Sequence, residues 1–183
     1  EVKEAHTWTN RPIWPQGFKT PPAKEKVPEW LDWKQWIGPA PSVDYNANIA
    51  PFAWRGWWDY GTGALGDMAC HIMDMAYWAV SPDAPTAVRA EQGGGTDISP
   101  PINSKVVWEF PANQYTGKRG FKFHWYDGYT NADFDRDTWS LIKHSEEYNH
   151  PDPRVLDGLP FQQFGSVVIG DQGKLIFNRT HSR

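Results

Sequence analysis

The sequence predicts an α+β domain: an open, mostly antiparallel sheet of about six strands, one main helix on one face, and long Trp- and Pro-rich loops. Three observations predict it. Six short segments alternate apolar and polar residues with the period of a strand. A single longer segment, Leu65 to Val80, repeats its apolar residues at helical spacing instead. Between them, 16 Gly, 16 Pro and 12 Trp in 183 residues call for long, shaped connections that rings fasten down or that rings line. Few helices and several strands pack as two layers.

The elements follow in order. Val2 to Trp8 alternates and reads as a strand, ended by Asn10-Arg11-Pro12. Residues 10 to 28 hold five prolines without periodicity and read as a loop. Pro28 to Gly38 reads as a short helix with Trp30, Trp33 and Ile37 on one side and Gly38 as its stop. Residues 39 to 64 form a second long connection that ends in Phe52, Trp54, Trp57, Trp58 and Tyr60. Loops of this length inside a domain point to function. The main helix closes at Ser81-Pro82, with Ile72, Met75, Ala76 and Ala79 expected to pack on the sheet. Thr86 to Gln92, Lys105 to Phe110 and Phe121 to Tyr126 are the next strands. Residues 127 to 164 are weakly patterned. A hairpin then joins Ser166–Gly170 to Lys174–Phe177 around Asp171-Gln172-Gly173.

Composition excludes several function classes. With 39% hydrophobic and 22% charged residues the chain is globular rather than disordered. No apolar run approaches the roughly 18 residues of a membrane-spanning helix, so no membrane partner is expected. Eighteen basic against 22 acidic residues, a net charge of −4, argue against a nucleic-acid partner. Cys70 is the single cysteine, which excludes an internal disulfide and a cysteine-based zinc site. The chain opens at Glu1 inside a strand, and any targeting signal is expected upstream.

Gly61-Thr62-Gly63-Ala64-Leu65-Gly66 matches G-x-G-x-x-G, but only Trp57-Trp58-Asp59-Tyr60 precedes it where a dinucleotide fold needs an apolar strand. Asp67 would also set a carboxylate at the helix N-terminus, against a pyrophosphate. The glycines are read as packing glycines. Asp67, His71, Asp74 and Trp78 share a helix face. An aspartate one turn before a histidine can orient the imidazole and raise its basicity for proton transfer. The same pair can equally serve structure, with Asp67 on the helix dipole and His71 at the edge of the core. His71 lacks a third strong ligand nearby, so no metal site is expected. Trp14, Trp54, Trp57 and Trp58 either stack on sugar faces, with Arg11, Arg55 and Asp59 bonding hydroxyls, or hold the loops to the core. Asp133, Asp135, Arg136, Asp137, Glu146 and Glu147 read as a solvated loop.

Trp54 through Asp74, with its W-R-G-W-W-D-Y-G-T-G-A-L-G-D-M-A-C-H-I-M-D run, resembles the signature of the Gfo/Idh/MocA oxidoreductases, the glucose–fructose oxidoreductase and inositol dehydrogenase family. Val2 to Gly17 and Leu31 to Pro41 are similar to a bacterial subgroup of it. The resemblance extends over nearly the whole chain and is least distinctive from 112 to 164. It implies that residues 1–183 are the substrate-side, C-terminal domain of a larger enzyme whose Rossmann domain, absent from this chain, binds NAD or NADP. Hydride then passes to or from a sugar, polyol or sugar derivative. The resemblance implies that His71 handles the hydroxyl proton and that Asp67 positions substrate and histidine. The family's lysine, in an E-K-P motif, has no counterpart here; Glu25-Lys26-Val27 departs from it. No cofactor is expected on this chain alone, and self-association is expected through the apolar sheet face built by Val106, Trp108, Phe110, Phe121, Phe123 and Trp125. The readings from other classes are a carbohydrate-binding or oligomerisation domain without redox chemistry, and a lyase or hydrolase using Asp67 and His71.

Overall fold

The computed structural model describes residues 1–129 and 148–177, with the backbone of two short strands, Asp133–Phe134 and Leu141–Lys143. Strand β1, Val2–Thr9, lies at the centre of a six-stranded sheet rather than at its edge. It pairs in parallel with β4, Phe121–Gly128, and antiparallel with β7, Phe164–Gly170. Beyond β4 come β3, Asn103–Phe110, and β2, Ala87–Gly93; beyond β7 comes β8, Gly173–Phe177. Asp133–Phe134 (β5) and Leu141–Lys143 (β6) form a separate two-stranded ladder. The sheet is open and antiparallel except for the β1–β4 pair. The β7–β8 turn is Asp171-Gln172, with Gly173 already in the ladder opposite Gly170.

Three helices accompany the sheet. Trp33–Ile37 (α1) starts three residues after Trp30, which is left outside the helix and exposed. The Asp32 side chain accepts the Gln35 N–H and so sets the start, while Trp36, not Trp30, stacks on Trp33. The main helix runs as Gly63–Ile72 (α2) and Asp74–Val80 (α3). Met73 interrupts the two segments, although its N–H still donates to the Ala69 carbonyl and its carbonyl still accepts from Tyr77. The stripe that meets the sheet is Ala64, Met68, Ile72, Ala76 and Val80, a spacing of four. Met75 and Ala79, expected on that stripe, face solvent because they fall off the four-residue row.

Phe110, Phe121, Phe123, Val106 and Trp125 fill the space between sheet and helices. Ser166 fixes the join: its hydroxyl donates to the Ile72 carbonyl at 2.7 Å and bonds the buried Thr7 hydroxyl. The apolar sheet face expected to drive self-association is therefore the face the helices cover. The part of the opposite face over β2, β3 and β4 carries Arg89, Glu109 and Lys122, joined as ion pairs. Pairing two copies through that face would first require the helices to leave it. No helix among the described residues is long and apolar enough to cross a membrane.

The tryptophan-rich connections form their own small core away from the sheet. Phe18 stacks on Trp57 at 4.1 Å, and Ile49, Trp33, Trp36 and Tyr60 pack round them. Ser99 ties this core together, accepting from Gly17 N–H at 2.7 Å and donating to the Gly56 carbonyl at 2.6 Å.

Candidate functional site

Four of the residues singled out from the sequence, Trp14, Trp54, Arg55 and Asp67, gather near the start of α2. A 3₁₀ turn, Ala53–Gly56, presents Arg55 beside the helix. Its Nε donates to Asp67 Oδ1 at 3.1 Å, and its guanidinium lies 4.4 Å from the Trp54 ring, 4.9 Å from Phe52 and 5.6 Å from Trp14. A planar cation between rings keeps its fork aimed at a carboxylate without losing contact with apolar surface. Because α2 starts at Gly63, two residues before the expected start, Asp67 lies in the second turn. Its partner is Arg55 and not the helix N-terminus.

His71 follows one turn later and is exposed, on the rim of a cavity of about 140 Å³ with Met75, Phe164 and Phe177. Among the described residues its side chain makes no hydrogen bond, and Asp67 is engaged by Arg55 instead. An open imidazole beside an anchored carboxylate can take or release a substrate proton. The structure keeps the two groups on one helix face, but the carboxylate bonds Arg55 and not the imidazole.

The other predicted residues divide. Trp14, 3% exposed, contacts the cluster from beneath, with its Nε1 donating to Gln16. Trp57, 6% exposed, is a core ring and offers no face to a sugar. Trp58 is 47% exposed and donates to the Thr96 carbonyl, and Asp59 is exposed beside the loop core. Arg11 bonds the Asn10 side chain at 2.8 Å. Among the described residues Arg11, Trp58 and Asp59 make no hydrogen bond, ion pair or ring contact with the Arg55 cluster. Glu25, from the segment compared with E-K-P, clamps a turn by accepting from Asn46 Nδ2 and Ala47 N–H. The carboxylates at 135, 137, 146 and 147, Arg136 and the Asp133 side chain lie outside the described residues.

Two groups were missed. Asp127, at the end of β4, is buried against a cavity of about 330 Å³ lined by Trp58, Thr62, Leu65 and Ser104. Burial raises its carboxyl to about 6, against the bonding of Trp125 Nε1 at 2.8 Å. Such a group exchanges protons near pH 6 and can bond a hydroxyl in either state. Its signal was the continuation of the Phe121, Phe123, Trp125 alternation by one step. The second group is Glu4, His6 and His124 on the other sheet face, treated below.

The glycines do not fit a dinucleotide. A side chain at Gly61 would meet the Arg55 backbone at 2.6 Å, and Gly63, at φ +64°, packs against Pro100. Both are occupied by protein, and the residues before them are turns rather than a strand.

A family model described as oxidoreductase family, C-terminal alpha/beta domain, of the Gfo/Idh/MocA group, matches residues 2–99. That match spans more than half of the 183 residues, and the chain belongs to this family. It takes in β1, the loop core and all three helices, and ends before β3. A search of curated proteins found no match.

Proposed function

We propose that this domain forms the substrate side of an NAD(P)-dependent oxidoreductase that moves hydride to or from a sugar, polyol or sugar derivative. The observation that carries the reading is His71, exposed and with no side-chain hydrogen bond among the described residues, one turn after an aspartate that Arg55 holds in place. Family membership supports the redox class. In this reading the whole chain is one substrate-side domain, and the dinucleotide is held by a Rossmann domain outside it. His71 accepts the hydroxyl proton as the alcohol carbon is oxidised, and returns it in the reverse direction. Asp67 and Arg55 bond neighbouring hydroxyls, and Trp54 and Phe52 supply apolar faces for the ring.

The test is made in the enzyme that contains this domain. His71→Ala lowers kcat by roughly 10²–10⁴-fold, the range for a lost acid–base group, with the far-ultraviolet spectrum unchanged. Unfolding by His71→Ala with a fully active folded fraction would overturn the reading. So would calorimetric binding of NAD⁺ to this chain alone at micromolar affinity, because the domain would then hold its own dinucleotide.

A further inference from the structure

We propose that Glu4, His6 and His124 bind a divalent transition-metal ion of the zinc class on the sheet face opposite the helices. Strand register builds the site. The parallel β1–β4 pairing sets His6 opposite His124, and the two rings stack with centroids 4.4 Å apart and planes within 9°. Glu4, two residues before His6, projects to the same face and sends one oxygen to each ring. Its Oε1 is 3.6 Å from His6 Nε2, and its Oε2 is 3.6 Å from His124 Nε2. One ligand atom from each residue can be chosen so that all lie within 4.8 Å of one another.

These separations exceed a hydrogen bond and approach the roughly 3.4 Å between ligands of a tetrahedral zinc ion with bonds near 2.0–2.1 Å. Rotation of the side chains closes the difference. Both Nε2 atoms are buried without a hydrogen-bond partner among the described residues, so each keeps an unsatisfied position that faces the carboxylate. Tyr126 supports the arrangement from the far side of His6, with its hydroxyl 3.1 Å from Nδ1. A phenol oxygen that accepts the Nδ1 proton leaves the lone pair on Nε2, the nitrogen that faces Glu4.

The nearby cations are otherwise engaged, Lys122 with Glu109 and Lys174 with Asp157 and the Arg154 carbonyl. Glu4 is 37% exposed, which leaves an entry path and a position for water. Two imidazoles and one carboxylate select zinc, cobalt or nickel over calcium and magnesium.

The chain, stripped with a chelator, is titrated with Co²⁺ and then Zn²⁺. The expected result is one equivalent of cobalt with the visible absorption of a low-coordinate ion, displaced by zinc. Glu4→Gln, nearly isosteric and half-exposed, weakens binding more than about 10-fold, and His124→Asn weakens it further. His71→Ala leaves the affinity unchanged. Absence of a cobalt spectrum and of zinc-dependent heat at millimolar metal overturns the proposal. Equal affinity in Glu4→Gln and the parent chain also overturns it, and that comparison stands even if the His124 variant fails to fold.

Discussion

Strands β1 and β4 present two faces made from alternate residues of the same segments, and the two faces differ in kind. Towards the helices they offer Ala5, Phe121, Phe123 and Trp125, closed over by Ala76, Val80, Met68 and Ile72. Away from the helices they offer Glu4, His6, His124 and Tyr126, rings and a carboxylate with their polar atoms turned to one another. A strand pair that is apolar on both faces would be more stable, at about 25 cal/mol for each Å² buried. The helix-covered face therefore supplies the stability that lets the other face hold two imidazoles whose buried Nε2 atoms have no hydrogen-bond partner among the described residues. Stability and polar chemistry are separated by a single-residue step along one strand.

The largest expected effect tests that division directly. Phe123→Ala, at a fully buried position, destabilises by about 3–5 kcal/mol in urea denaturation. Its neighbour His124→Phe, measured with a chelator present, keeps the stacking and costs under about 1 kcal/mol, since an apolar ring replaces a nitrogen without a bonding partner. Equal losses at the two positions would erase the distinction between the faces.

Asp127 is a buried carboxyl on the covered face, and pH exposes it. Its folded carboxyl titrates at about 6 against an ordinary 3.8, so the folded state holds the proton more tightly than the unfolded chain. The stability this contributes is complete below about pH 4 and is lost as pH rises through 6, up to about 3 kcal/mol from this group. Denaturation midpoints followed from pH 4 to 7 should fall more steeply in the parent chain than in Asp127→Asn. Identical slopes would show that the carboxyl titrates normally.

Arg55→Lys keeps the charge but loses the planar contact with Trp54 and Phe52, and is expected to cost about 1 kcal/mol in thermal unfolding. The smallest effect belongs to the outer side of the helices. Trp78, 79% exposed, changes stability by less than about 0.5 kcal/mol when replaced by Ser. A larger loss would mean that the outward helix face is packed in solution and that the comparison of faces omits a third surface.

Much of the site was legible because its parts lie close together in the chain. Arg55, Asp67 and His71 fall within 17 consecutive residues, and helical spacing alone places Asp67 and His71 on one side. The error over Asp67 was local too: a glycine at positive φ lets the helix begin two residues early, which moves the carboxylate out of the first turn. The tryptophans were not legible individually. Composition shows that rings are abundant, but only packing separates Trp57, stacked on Phe18, from Trp58, half in solvent beside it.

By itself, the sequence determined the six strands, the main helix and the membership of Asp67 and His71 in one surface, because period and spacing are properties of neighbouring residues. Tertiary structure alone decided that β1 lies in the middle of the sheet, parallel to β4, and so that His6 meets His124 across 118 residues of chain. It also decided that Arg55 takes Asp67 from the helix end, and that Asp127 is buried. Pairing between distant strands depends on the total burial of the finished sheet, which no local pattern encodes.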